Sequence, residues 1–188
     1  MNNHPEYREY RKNKMASGAD YQDFIMERMH SIGVVLQSYC SRQGQLKGEN
    51  LLGMEIKNDE QMTRTKNIYI EVAEKAVPRP GDYAPSGIFR SDNTWLYGIG
   101  DRSIFYIFTK STLKTSWAKR EKMSLREVMT DTSKGFLLPR DVADHMCARC
   151  IFFDAFGKIK EVRCGGEVSP IDLSSIELKH DPQMMLFK

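Results

Sequence analysis

Met54-Glu55-Ile56-Lys57 alternates apolar and charged side chains residue by residue. Successive side chains of an extended strand point to opposite faces, so Met54 and Ile56 share one face and Glu55 and Lys57 the other. This pattern is satisfied by a strand with one buried side and one polar side. A carboxylate and an ammonium side by side on a strand can bind a divalent cation and steer a water next to it. That is the equipment for hydrolysing a phosphodiester. Alone, acid-x-Lys is a common pattern that usually marks a solvated strand face.

The neighbouring segments make it more specific. After a polar loop over 58–66, Asn67-Ile68-Tyr69-Ile70-Glu71-Val72 alternates in the same way. Glu71 has the opposite parity to Ile68, Ile70 and Val72, so in-register pairing of the two strands would bring it to the side of Glu55. Upstream, Tyr21, Phe24, Ile25, Arg28 and Met29 recur at helical spacing and predict a helix from Ser17 or Asp20 to about Ser31. The β-branched and aromatic content of 34–40 predicts a strand. Further strands are expected around 49–57, 67–73, 94–99 and 103–109, the last two joined by a turn at 98–101. Residues 1–17 are polar and charged and read as a mobile arm.

Four segments in order, Gly48-Glu49-Asn50 through Gly53-Met54-Glu55-Ile56-Lys57-Asn58-Asp59, then Asn67 to Val72, then Pro85-Ser86-Gly87-Ile88, then Asp92-Asn93-Thr94-Trp95-Leu96-Tyr97, resemble the restriction-endonuclease-like PD-(D/E)xK nuclease superfamily. The likeness is to small stand-alone members of the kind carried by bacteriophages and covers roughly 18 to 115. It implies an α/β fold with a restriction-endonuclease-like core, a central mixed β-sheet flanked by helices. It also implies a hydrolase: a Mg²⁺-dependent endonuclease acting on DNA, with Mn²⁺ able to substitute. Many nucleases of this fold are dimers, so a homodimer is expected.

The resemblance also assigns roles. Glu49 stands where the family usually carries an aspartate as first metal ligand. Glu55 and the carbonyl of Ile56 complete the metal set, joined by Glu27 from the first helix. Lys57 positions the attacking water or offsets charge in the transition state. Glu71 orients Lys57 or accepts a proton, or else simply pairs with a cation across the sheet. Six residues of straight strand span about 20 Å, far beyond a shared ion held at about 2 Å. Glu49 and Glu55 can therefore cooperate only if the chain reverses between Asn50 and Gly53.

The Pro- and Gly-rich loop over 78–87 is expected at the surface, with Ser86, Arg90 and Asn93 contacting the nucleic-acid backbone. Lys110, Lys114, Lys119, Arg120 and Lys122 lie close together, with Tyr106 and Trp117 nearby. They form either a solvated helix face or a DNA contact, with Lys110 and Lys114 the chosen contacts. The formal charge of +3 favours neither.

The division expected is an arm over 1–17, a nuclease core over 18–123 and a C-terminal extension over 124–188 packed on it. In the extension, a helix from about Leu138 to Cys147 precedes a hairpin around Gly157. His145, Cys147, Cys150 and Cys164 offer one Cys-x-x-Cys pair with a loose fourth ligand, which fits free thiols better than zinc. With four cysteines in 188 residues, no signal-like N-terminus and no membrane-length apolar run, a cytoplasmic protein is expected, in the host cytoplasm if phage-encoded. The alternative is a non-catalytic nucleic-acid-binding or assembly protein on the same fold, with or without a C-terminal zinc site.

Overall fold

Ile104-Phe105-Tyr106-Ile107-Phe108 is the most continuously apolar strand in the chain, and a strand buried on both faces requires that pattern. The computed structural model describes residues 5–37, 50–75 and 81–165, with side chains from residue 16 onward. In it, strand β5 (Ile104–Thr109) is the centre of a five-stranded sheet and is covered on both sides. Phe105 and Ile107 point to one core, while Tyr106 and Phe108 point to another.

The sheet is built from β1 (Met54–Asn58), β4 (Leu96–Gly100), β5, β8 (Arg149–Phe153) and β9 (Ile159–Cys164), in that order. β1 and β4 are parallel and the other pairs antiparallel, so the sheet is mixed and the fold is α/β. Helix α1 (Pro5–Ser31) covers one face. Its Tyr21, Phe24, Ile25 and Met29 pack with Met54, Ile56, Phe105, Ile107, Ile151 and Phe153. The other face meets a second, four-stranded sheet of β3 (Ala84–Pro85), β2 (Asn67–Glu74), β7 (Ser133–Pro139) and β6 (Arg126–Met129). Ile68, Ile70, Phe136 and Leu138 from that sheet share a core with Tyr97, Ile99, Tyr106 and Phe108. Three short helices complete the described fold: α2 (Met62–Thr65), α3 (Lys110–Ala118) and α4 (Arg140–Met146).

Parallel neighbours need a long crossover. Here the connection from β1 to β4 contains α2, β2, β3 and a 3-10 turn over Gly87–Phe89 before it returns to the sheet. That detour lays residues 86–94 against the polar side of β1.

Several sequence expectations are met in outline. Strands stand at β1, β2, β4 and β5, α4 lies where the second helix was placed, and the β8–β9 hairpin turns at Gly157. Others change. β1 and β2 do not pair; they belong to different sheets, because the apolar face of β2 packs against β5 while β7 and β3 take its edges. α1 begins at Pro5, where an arm was expected, since a polar stretch rich in good helix formers can extend an amphipathic helix already anchored by packing. Val34 to Gln37 carry no strand, and residues 38–40 of that expected strand lie outside the described residues. Gly98 and Gly100 lie within β4, where a Cβ would collide with Phe105 or with the Ile104 backbone; the turn falls at 101–103. Residues 124–165 supply β6 to β9 and complete both sheets, so that segment is woven into the cores.

Gly87 adopts a left-handed φ of +51°, and a Cβ there would strike the carbonyl oxygen of Glu71. The left-handed conformation alone costs a substituted residue about 1–3 kcal/mol. Gly87→Ala is therefore expected to lower unfolding stability by at least that much in urea titrations, while Gly81→Ala, with open space around it, should change it little.

Candidate functional site

The chain reverses immediately before β1, as Glu49 and Glu55 would require in order to meet. Gly53 N–H donates to the Asn50 carbonyl (3.0 Å), and Gly53 sits at φ +72°. The buried Asn50 side chain clamps the turn, donating to the Met54 carbonyl (2.7 Å) and accepting from the Met54 amide (3.1 Å). Glu49 itself lies outside the described residues.

Beyond the turn, Met54 and Ile56 face α1, and Glu55 and Lys57 take the opposite side, as alternation dictates. Glu55 is nevertheless only 1% exposed. Lys57 Nζ lies 3.0 Å from Glu55 Oε1 and Lys110 Nζ 2.8 Å from Oε2. Among the described residues, no neutral donor reaches either oxygen. Burial alone would raise the Glu55 carboxyl, but the two ammonium groups outweigh it and hold it below the usual glutamate range.

Lys110 is the unexpected member. It opens α3, whose N-cap is Thr109, and its side chain is 5% exposed. Its ammonium sits among Glu55 Oε2, Asp92 Oδ1 (3.6 Å) and the Gly87 carbonyl oxygen (3.1 Å). An ion this deep persists only when paired. Asp92 is the residue that sequence reasoning left without a role. Its side chain is buried, accepts from the Thr94 amide (2.9 Å) and hydroxyl (2.5 Å), and faces Arg90 Nε at 3.5 Å. Against the upward push of burial, the Thr94 bonds, Lys110 and Arg90 hold it below the usual aspartate range. Asp-Asn-Thr before a strand is a readable side-chain-capped turn. Nothing in that motif reveals its partner across the chain.

Glu71 has the opposite electrostatics. Burial raises its carboxyl, and Glu74 and Glu55 push the same way, while Lys57 and the Ser86 hydroxyl (2.8 Å to Oε1) partly offset them. Glu71 thus joins Glu55 and Lys57 electrostatically although their strands do not pair. Ser86 is buried with its hydroxyl committed to Glu71. Arg90 is at the rim, and Asn93 is exposed beside Asp92. Lys114 is exposed, its ammonium 5.6 Å from the centre of the Phe89 ring.

The structure does not bring Glu27 here. Its carboxylate is exposed and pairs with Arg28, which also bonds the Gly157 carbonyl at the β8–β9 turn, the far edge of the sheet from β1. The Ile56 side chain faces α1, and its backbone stands opposite Gly98 in the ladder. Cys147 and Cys150 are buried in the core between the sheets, where burial pushes the Cys147 thiol up to about 11 and raises Cys150 as well. Cys164 is partly buried on β9, and His145 is exposed on α4. A polar cleft of about 470 Å³, lined by Ser17, Tyr21, Asn58 and Asp101 among others, opens by the end of β1, and Glu55 does not line it.

What the arrangement offers chemically is a cage for a cation. Carboxylate oxygens of Glu55 and Asp92 and the Gly87 carbonyl oxygen converge on the Lys110 ammonium. These hard oxygen donors also suit Mg²⁺. Among the described residues, no three His, Cys, Asp or Glu side chains gather as a metal-ligand group by themselves. No helix of the described chain is long and apolar enough to cross a membrane. No protein-family model, curated protein or solved structure matches the chain.

Removing one member of a buried ion pair typically costs about 3–5 kcal/mol. Lys110→Met is expected to destabilise by that order in denaturant titrations, and Lys110→Met with Glu55→Gln by clearly less than the sum of the single changes. The folded carboxyls of Glu55 and Asp92 lie below their unfolded values. Their ionised forms therefore stabilise the fold above the ordinary carboxylate range, and this contribution is lost as pH falls through the folded values. Unfolding free energy should drop on acidification below about pH 4, with a shallower drop in Glu55→Gln.

Proposed function

We propose that this chain is a metal-dependent nuclease that hydrolyses phosphodiester bonds in DNA, with Glu55 and Lys57 at its centre. The observation that carries the reading is the buried, ionised Glu55 with Lys57 3.0 Å away on the same strand face. The likeness to the PD-(D/E)xK superfamily supports it, as do a mixed sheet and a helix preceding the acid-x-Lys strand. A restriction-endonuclease-like core is part of the proposal, although here a second sheet, β2 and β7 at its centre, covers the face that Glu55 shares. A homodimer acting on DNA in the cytoplasm completes it.

The roles follow from placement. Glu55 and Asp92 would hold the Mg²⁺ through both oxygens of Glu55 and Oδ2 of Asp92, which face only the Lys57, Lys110 and Arg90 cations among the described residues, so the metal would displace those charges. When bound, the ion supplies Lewis-acid polarisation of the phosphoryl oxygen and a more acidic bound water. Lys57, 35% exposed, presents the cation nearest solvent in the Glu55 pair and meets the phosphate. Arg90 adds a second cation at the rim. Glu71, raised by burial and charged neighbours, is the group able to take up a proton. Lys110 balances the two acids from below.

One observation favours a second reading, a non-catalytic nucleic-acid-binding or assembly protein. The Lys110 ammonium already occupies the position between Glu55 and Asp92, so the acids are balanced by protein alone. The two readings separate in a cleavage assay on supercoiled plasmid and labelled single strands with Mg²⁺, Mn²⁺ or EDTA. The nuclease reading expects metal-dependent cutting, reduced at least about a hundredfold in Glu55→Gln and in Lys57→Ala. A folded wild type that cuts none of these substrates with either metal overturns the nuclease reading in favour of the binding one. Equal cutting by wild type and variants places the chemistry elsewhere.

A further inference from the structure

We propose that Trp95 is a preformed stacking platform for an unpaired base, which makes single-stranded nucleic acid the ligand of this face. The inference rests on the nucleic-acid part of the proposed function and adds the substrate class.

The first support is position. The amides of Trp95 and Leu96 both donate to the Gly53 carbonyl (2.8 and 3.0 Å), setting Trp95 beside Gly53 at the mouth of β1 and β4. The register continues Met54 opposite Leu96 and Glu55 opposite Tyr97. By alternation, residue 95 lies on the same sheet face as Tyr97, the face that carries Glu55 and Lys57. On its other side, the Lys110 amide donates to the Trp95 carbonyl (2.8 Å). Trp95 therefore stands at the lip of the ionic cluster, two residues along the chain from Tyr97, which faces Glu55.

The second support is how the ring is held. Trp95 is 56% exposed, high for the largest apolar side chain. Its indole N–H already donates to the Leu52 carbonyl (2.9 Å). A Cβ at residue 53 would come 2.8 Å from Trp95 Cδ1, so the ring lies against the turn only because glycine is there. With its polar atom satisfied and its edge fixed, what the ring offers solvent is an apolar π surface. Little ordering entropy remains to be lost on binding.

The third support is charge. The acids of the cluster, Glu55 and Asp92, are buried, while Lys57 and Arg90 reach solvent and Lys114 is exposed beside Phe89. A ligand approaching this rim meets cations and aromatic faces. Backbone phosphates and unstacked bases answer both, whereas a duplex keeps its base faces covered. Leu51, exposed on the same turn, extends the apolar edge. An apolar protein surface would use that edge but leave the cations unanswered.

The test is fluorescence anisotropy in EDTA, so that binding is read without cleavage, with fluorescein-labelled oligothymidylate and a blunt duplex of equal length. Wild type should prefer the single strand and show quenching of indole fluorescence on binding. Trp95→Ala should weaken oligothymidylate binding roughly 5- to 150-fold and duplex binding much less. Trp95→Phe should retain most of the affinity while losing the quenching, with Trp117 as the remaining fluorophore. Unchanged oligothymidylate binding in Trp95→Ala overturns the proposal, as does equal loss for both ligands. So does a loss confined to self-association in sedimentation, which would make the indole a contact between copies. A protein that binds single strands through Trp95 but cuts nothing in Mg²⁺ overturns the nuclease reading and upholds this one.

Discussion

The structure of this site turns on one buried ammonium. Lys110 Nζ draws in Glu55 from the first strand, Asp92 from the end of the crossover and the Gly87 carbonyl from the 3-10 turn. Each comes from a different segment, so one cation fixes the geometry of three. Burying a charge is costly, and the cost is offset only when the oxygens arrive together. The arrangement is therefore close to all-or-none: crossover, α3 and β1 are in place together or the ions are exposed. Gly87 allows the approach, since any side chain there would collide with Glu71.

That cage also separates the acids into two classes. Glu55 and Asp92 sit against cations and stay ionised, whereas Glu71, one layer away and bonded to Ser86, is pushed up by burial. Carboxyls whose environments move them in opposite directions can divide labour, with some holding charge and one exchanging a proton. The rim then faces solvent with cations and an indole, although the formal charge of the whole chain is only +3.

The period-two pattern gave a correct account of faces but an incomplete account of partners. It separated Met54 and Ile56 from Glu55 and Lys57 and marked Ile68, Ile70 and Val72 as a buried row. It suggested pairing of β1 with β2, yet β1 lies parallel to β4, because β5, with its apolar run from Ile104 to Phe108, takes the centre and needs cover on both faces. Lys110 reads in the sequence as a nucleic-acid contact on a basic helix face, yet it is buried against Glu55, since a lysine inside a fold has no local sequence signature. Glu27, at helical spacing with the other acids of α1, lies toward the opposite sheet edge.

By itself the sequence determined which residues alternate and that an acid and a lysine share a strand face. Those are local properties, set by backbone geometry and side-chain type. The tertiary structure alone decided that Asp92 and Lys110 join Glu55, that Glu71 approaches from another sheet and that Trp95 stays exposed at their lip. Residues 55, 71, 92 and 110 are remote along the chain, and nothing in their neighbours specifies the encounter. It comes from the crossover being drawn back over β1 when both faces of the central sheet are buried, which only the whole fold can arrange.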